Sequence, residues 1–139
     1  MLFRSERDAT SLREEIVGMR DKVSSAHPVK DGSYDLKHSP GGMIDAEFVM
    51  QFLILLHARE HRQLLANAGN IALLERAESL GLIPAPTGHA AADAYRSLRK
   101  AQHRARLNEA STQVPPETMP AERAAILALW QAVFGSPPA

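Results

Sequence analysis

The chain has no cysteine, which excludes disulfides, thiolate chemistry and Cys-ligated zinc and suits a reducing compartment. It also lacks a charge excess. Sixteen Lys and Arg residues balance sixteen Asp and Glu residues, and aromatics are scarce, so no global field holds DNA, RNA or an anionic membrane. No apolar run is long enough to span a bilayer, which takes ~20 residues. Phe48 to Leu56 is too short, and Asp45 and Glu47 sit at its mouth. The first fifteen residues, MLFRSERDATSLREE, lack the apolar core of a signal peptide. These absences lead to the expectation of a soluble, cytoplasmic protein. A Walker-type loop, an internal repeat and a marked nucleophile are missing as well.

What is present is helical. With 139 residues and 45% hydrophobic content, the chain buries one core, and a single domain is the default. Residues 6–23 place Leu12, Ile16, Val17 and Met19 among charges at helical spacing. Pro40, Gly41 and Gly42 break the chain, and a second helix follows over 43–61. Its apolar residues point in nearly every direction, the pattern of a central helix. A third helix over 66–80 is closed by Gly81. A fourth over 88–109 starts at a Thr87 cap and turns Ala90, Ala94, Tyr95, Leu98, Ala101 and Leu107 inward. A fifth over 120–134 begins at Pro120 and buries Ala125, Ile126, Leu129, Trp130 and Val133. No strand is convincing. The predicted fold is all-α, a single bundle of about five helices around the central helix.

Three features invite a functional reading. The segment His57-Ala-Arg-Glu60-His61 spells the H-x-x-E-H pattern of inverted zinc peptidases, but a five-residue match is weak, and the polar exit of the central helix explains it as well. The run Arg96, Arg99, Lys100, His103, Arg104 and Arg106 reads first as a solvated face and second as a surface for an acidic partner. The long connection from Ser24 to Gly42 is the third. Loops of that length without helix or strand are often functional, and this one holds Asp35-Leu36-Lys37 ahead of the glycine pair. Gly41 and Gly42 bring two N–H groups toward a phosphate at a helix N-terminus, or simply make a tight turn.

Asp35-Leu36-Lys37, then Gly41-Gly42-Met43-Ile44-Asp45-Ala46-Glu47-Phe48, then Gln51 and Leu53, resembles the DLK…GGxxDxEFxxQ signature of the glutamine synthetase adenylyltransferases. Met19-Arg20 adds to the likeness, matching a Met-Arg pair on the preceding helix of those enzymes. The likeness is specific over residues 16–56 and becomes a general helical pattern beyond.

The resemblance implies an enzyme of two nucleotidyltransferase modules, each a catalytic α/β palm followed by a helical domain such as this one. One module adds AMP from ATP to a tyrosine of glutamine synthetase, and the other removes it by phosphorolysis. Asp45, where the removing half tends to carry an Arg-Glu pair, points to the C-terminal, adenylylating half. Mg2+ and ATP are then the cofactors of the full enzyme. Its own palm, glutamine synthetase and a PII-type signal protein are its partners. The palm's Gly-Ser turn and D-x-D carboxylates are missing here. Asp45 and Glu47 stand ~200° apart around a helix and do not close on one metal, so the chain alone is expected to be silent in catalysis.

The resemblance further implies that the Asp35–Lys37 loop, Gly41, Gly42 and the start of the second helix face the palm and close the nucleotide cleft. Lys37 would meet an ATP phosphate or a palm carboxylate. Glu47 and Gln51, four apart on one face, are expected to organise the Asp35–Lys37 loop, with Asp45 as a cap or a palm contact. The competing reading is a stand-alone helical interaction module that kept the signature after losing its palm. Met1 counts toward that reading, although a cloned domain also begins with methionine.

Overall fold

The computed structural model describes residues 6–57 and 69–135. The fold is an all-α bundle of five helices: α1 (Glu6–Ala26), α2 (Met43–His57), α3 (Asn70–Ser79), α4 (Thr87–Leu107) and α5 (Pro120–Phe134). Two short antiparallel strands join them, β1 (Tyr34–Asp35) and β2 (Gln113–Val114), with Tyr34 opposite Val114 and Asp35 opposite Gln113. This pairing is not legible in the sequence, because two residues are too few to show an alternating period.

α2 touches every other helix, as an apolar helix at the centre of a bundle must. Met43, Ala46, Val49, Met50, Phe52 and Leu53 are buried, but one strip stays open, with Gln51 exposed and Leu55 47% exposed. Leu12, Ile16 and Arg20, each four residues from the next, form the buried stripe of α1. α5 contributes Ile126, Leu129, Trp130 and Phe134, and the Phe134 ring lies 4.4 Å from Trp130 and 5.0 Å from Phe52.

α4 departs from expectation at both ends. Thr87 is its first residue and makes no side-chain cap bond. The His89 N–H near that end donates instead to Glu78 Oε1 of α3 at 3.0 Å, so a neighbouring carboxylate replaces the local cap. Leu107, expected on the inner stripe, is 71% exposed. Residues 58–68, with the expected end of the second helix, the start of the third, and Glu60 and His61, lie outside the described residues. Among the described residues no helix is long and apolar enough to cross a membrane.

Candidate functional site

The connection between α1 and α2 folds on itself before it reaches α2. Asp35 Oδ1 accepts the N–H groups of Lys37 at 2.9 Å and His38 at 3.2 Å, while the Asp35 N–H donates to Ser39 Oγ at 2.7 Å. A short side chain that captures nearby amides fixes a turn in this way. The Leu36 N–H donates to the Thr112 carbonyl at 3.0 Å, and the Thr112 hydroxyl reaches Asp35 Oδ1 at 3.4 Å. Asp35 therefore ties its own loop to the connection between α4 and α5.

The glycine pair permits contacts that a side chain would forbid. A Cβ on Gly42 would lie 2.8 Å from the Lys37 carbonyl oxygen and 2.9 Å from that of Ser39. Gly41 has φ +82°, and its Cβ would meet Arg123 Cγ at 2.7 Å. Four amides at the opening of α2, those of Gly41, Gly42, Met43 and Ile44, have acceptors within the turn. Gly42 donates to the Ser39 carbonyl, Met43 to Leu36 and Ile44 to Lys37 at 2.8–3.0 Å, and Gly41 donates to Asp45 Oδ2 at 2.9 Å. The phosphate reading of Gly41 and Gly42 fails on this point, since their N–H groups are used inside the protein. The tight-turn reading holds.

Asp45 is the hub of that turn. It is 1% exposed, and besides capping Gly41 it accepts a 2.8 Å hydrogen bond from Arg20 Nε of α1. Burial pushes its carboxyl pKa up, while the Arg20 guanidinium and the Gly41 amide pull against that shift. Arg20 is 2% exposed and lies 5.7 Å from the Trp130 ring centre, so one cation joins α1, α2 and α5. Tyr34, fully buried, donates from Oη to the Gly41 carbonyl at 2.8 Å. Burial raises its phenol pKa well above the usual range. Arg123 closes the assembly from α5, donating from Nε to the Pro40 carbonyl at 3.2 Å with its guanidinium 4.9 Å from the Tyr34 ring centre.

Glu47 and Gln51 do not organise this loop. Glu47 Oε2 accepts a 2.8 Å hydrogen bond from Tyr95 Oη of α4, and Asn70 Nδ2 donates to the same Tyr95 oxygen at 3.3 Å. Burial pushes the Tyr95 pKa up to about 12, so the phenol keeps its proton for Glu47 at neutral pH. Gln51 is exposed. With Val23, Ile44, Glu47 and Phe48, it lines a small open depression between α1 and α2. The Lys37 carbonyl accepts the N–H of Ile44, one of the residues that line that depression. Lys37 as a residue is half-buried, and its ammonium has no ion pair or hydrogen bond among the described residues. Next to it the His38 ring stacks on His27 of the chain leaving α1, centroids 4.2 Å apart, with His38 Nδ1 3.7 Å from Asp35 Oδ2.

The seven residues singled out from sequence thus separate. Asp35, Gly41, Gly42 and Asp45 are buried parts of one turn, Lys37 is a half-buried member of the same turn, and Glu47 and Gln51 line the depression. Asp45 and Glu47 have different partners, and no group of three metal-ligating side chains forms among the described residues. This donor set does not fit a magnesium pair. Sequence reasoning missed Arg123 and Tyr34, which carry no local signal, and saw Arg20 only as half of a motif. The available clue was its place four residues after Ile16, where the buried stripe calls for an apolar side chain.

A helical bundle whose polar interior braces a single glycine turn at the mouth of its central helix is the class defined by fold and site. A family model described as GlnD PII-uridylyltransferase matches residues 13–128, and the chain belongs to that family. It is 54% identical over 129 residues to the bifunctional glutamine synthetase adenylyltransferase/adenylyl-removing enzyme of Bordetella bronchiseptica, covering 92% of this chain and 14% of that protein. The enzymes of the same name from Aromatoleum aromaticum and Nitrosomonas eutropha are 46% and 41% identical over 97% and 94% of the chain. The chain spans 14% and 16% of their lengths.

Proposed function

We propose that this chain is the helical domain that follows the palm in the adenylylating half of a glutamine synthetase adenylyltransferase, and that it acts by closing the nucleotide cleft. In this reading the whole enzyme moves AMP from Mg-ATP to a tyrosine of glutamine synthetase and reverses the transfer, under a PII-type nitrogen signal. The observation that carries it is the 54% identity over nearly the whole chain to a segment of an enzyme so named. The geometry supports a positional role. The turn is locked from within by Asp45, Arg20 and Asp35, which fixes the backbone at Lys37 and leaves its ammonium without an ion pair or hydrogen bond among the described residues. Such a cation suits an ATP phosphate or a palm carboxylate. Metal ligands come from the palm, and the helical chain by itself transfers no AMP.

The test is AMP incorporation into glutamine synthetase by the whole enzyme carrying Lys37→Ala. Loss of one charge-assisted hydrogen bond lowers kcat/KM by about tenfold or more. A raised KM for ATP assigns the lysine to the nucleotide, and a lowered kcat alone assigns it to the palm. Unchanged turnover removes Lys37 from the site and leaves a binding module as the better reading.

A further inference from the structure

Among the described residues, the outer face of α4 takes no part in the buried core or in the proposed cleft. From Ala94 to Leu107 there is no acidic residue, while Arg96, Arg99, Lys100, Arg104 and Arg106 all occur there. Because the whole chain is neutral, this cluster is balanced by a net acidic remainder. At ~100° per residue these cations and His103 fall within about 160° of the helix circumference, opposite the buried Ala94 and Leu98. Arg96 pairs with Asp93 at 2.8 Å, but Arg99, Lys100, Arg104 and Arg106 make no ion pair among the described residues.

A solvated basic face is the ordinary explanation, and Arg104 and Arg106 do complement the negative end of the helix dipole. That account leaves Leu107 out. It is 71% exposed and lies near the middle of the cationic arc, an apolar side chain with nothing over it. The face therefore offers charge along its length and an apolar anchor at one end. Nucleic acid fits it less well, since the arc has no aromatic ring for a base to stack on.

We infer that this face of α4 docks an acidic, amphipathic protein segment, whose carboxylates meet Arg99, Lys100 and Arg104 and whose apolar side covers Leu107. Electrostatic complementarity sets the approach and register, and the leucine adds an apolar contact at the C-terminal end that excludes water. The inference does not depend on the adenylylation reading, because α4 keeps this face whatever the whole protein does.

Three labelled probes test it by fluorescence anisotropy with the whole chain: a Glu-rich peptide of about five helical turns with Leu at i, i+3 and i+4 spacing, its scrambled isomer, and a single-stranded oligonucleotide. The amphipathic peptide is expected to bind about tenfold more tightly than its isomer. Arg99→Glu combined with Arg104→Glu should weaken it by about tenfold or more, and Leu107→Ser should weaken the amphipathic peptide alone. Arg99→Gln with Lys100→Gln serves as a second variant if the charge reversal disturbs folding by circular dichroism. Equal binding of the two isomers, indifference to Leu107→Ser, or tighter binding of the oligonucleotide would each overturn the inference. So would a dimer in sedimentation that the charge reversal abolishes, because the face would then belong to a second copy.

Discussion

Asp45 and Glu47 lie two residues apart on α2 and have the same chemistry, yet one is sealed between Arg20 and Gly41 while the other stands half-buried beside an open depression with Tyr95 as its partner. The difference follows from helix geometry, because a step of two residues turns a side chain by ~200°. Asp45 faces α1 and the glycine turn. Glu47 faces the seam and α4. A single short motif thus encodes two things, an interior turn that must be built and a surface that the turn presents. Acidic residues in such a motif carry no common role, and each must be assigned from what it touches.

The sharpest way to break this contrast is to empty the interior side. Asp45→Ala removes the buried partner of Arg20 Nε, leaving that guanidinium the longer 3.6 Å approach to half-exposed Asp21, and takes the acceptor from the Gly41 amide, and should cost about 3–5 kcal/mol in urea unfolding. Asp45→Asn keeps an acceptor for Gly41 and should cost less. Combining Arg20→Met with Asp45→Asn should cost less than the sum of the two single changes, since removing both charges leaves neither stranded. Additive losses would mean that the ion pair is not the link between α1 and α2.

Gly42→Ala comes next. The added methyl would sit 2.8 Å from one backbone oxygen and 2.9 Å from another, and backbone has little room to move. Overpacking of this kind costs about 1–3 kcal/mol. The same measurement on Gly32→Ala isolates the close approach from backbone strain, because Gly32 has φ +75° but nothing within 4 Å of its Cβ. A smaller loss at Gly32 than at Gly42 ranks crowding above strain in this fold, and a loss at Gly42 well below about 1 kcal/mol would refute crowding there.

These experiments also mark how much was legible beforehand. α5 was readable as Pro120–Phe134, because a proline fixes its first turn and a glycine in the left-handed region follows its last. The glycine break and the central helix were readable from composition and period. The Arg20–Asp45 bond was not, since its partners are 25 residues apart and sequence does not display which charges are buried. The partner of Glu47 is hidden for a related reason. Helical spacing states which residues share a face but not what that face meets, and Tyr95, 48 residues away, was read only as core. The strand pair that ties the Asp35 loop to Gln113 and Val114 was invisible because it is two residues long.

A smaller effect separates the interior from its rim. Burial lowers the pKa of His38, with His27 and Lys37 adding to the shift and Asp35 opposing it. The folded protein therefore takes up this proton less readily than the unfolded chain does. Its contribution to stability is whole above the unfolded value of about 6.5 and is lost as pH falls through the lowered folded value. Urea midpoints of the protein and of His38→Gln, compared between neutral and mildly acid pH, should diverge at neutral pH and converge on acidification. A gap of constant size would show that the stacked imidazoles do not report the state of the turn.

The smallest expected change in stability is at the seam itself, and there the contrast is most exacting. Gln51 is exposed, and Lys37 has no partner to lose among the described residues. Gln51→Ala and Lys37→Ala should each stay within about 0.5 kcal/mol of the parent in urea unfolding. Tyr95→Phe should lie between the two classes at about 1 kcal/mol, because it removes the donor to Glu47 but leaves that carboxylate partly in water. If Lys37→Ala were as damaging as Asp45→Ala, the lysine would belong to the fold, and its proposed place in the nucleotide cleft would lose its physical basis. A variant that leaves stability unchanged yet lowers AMP transfer by the whole enzyme is the outcome that a surface held ready by a locked turn requires.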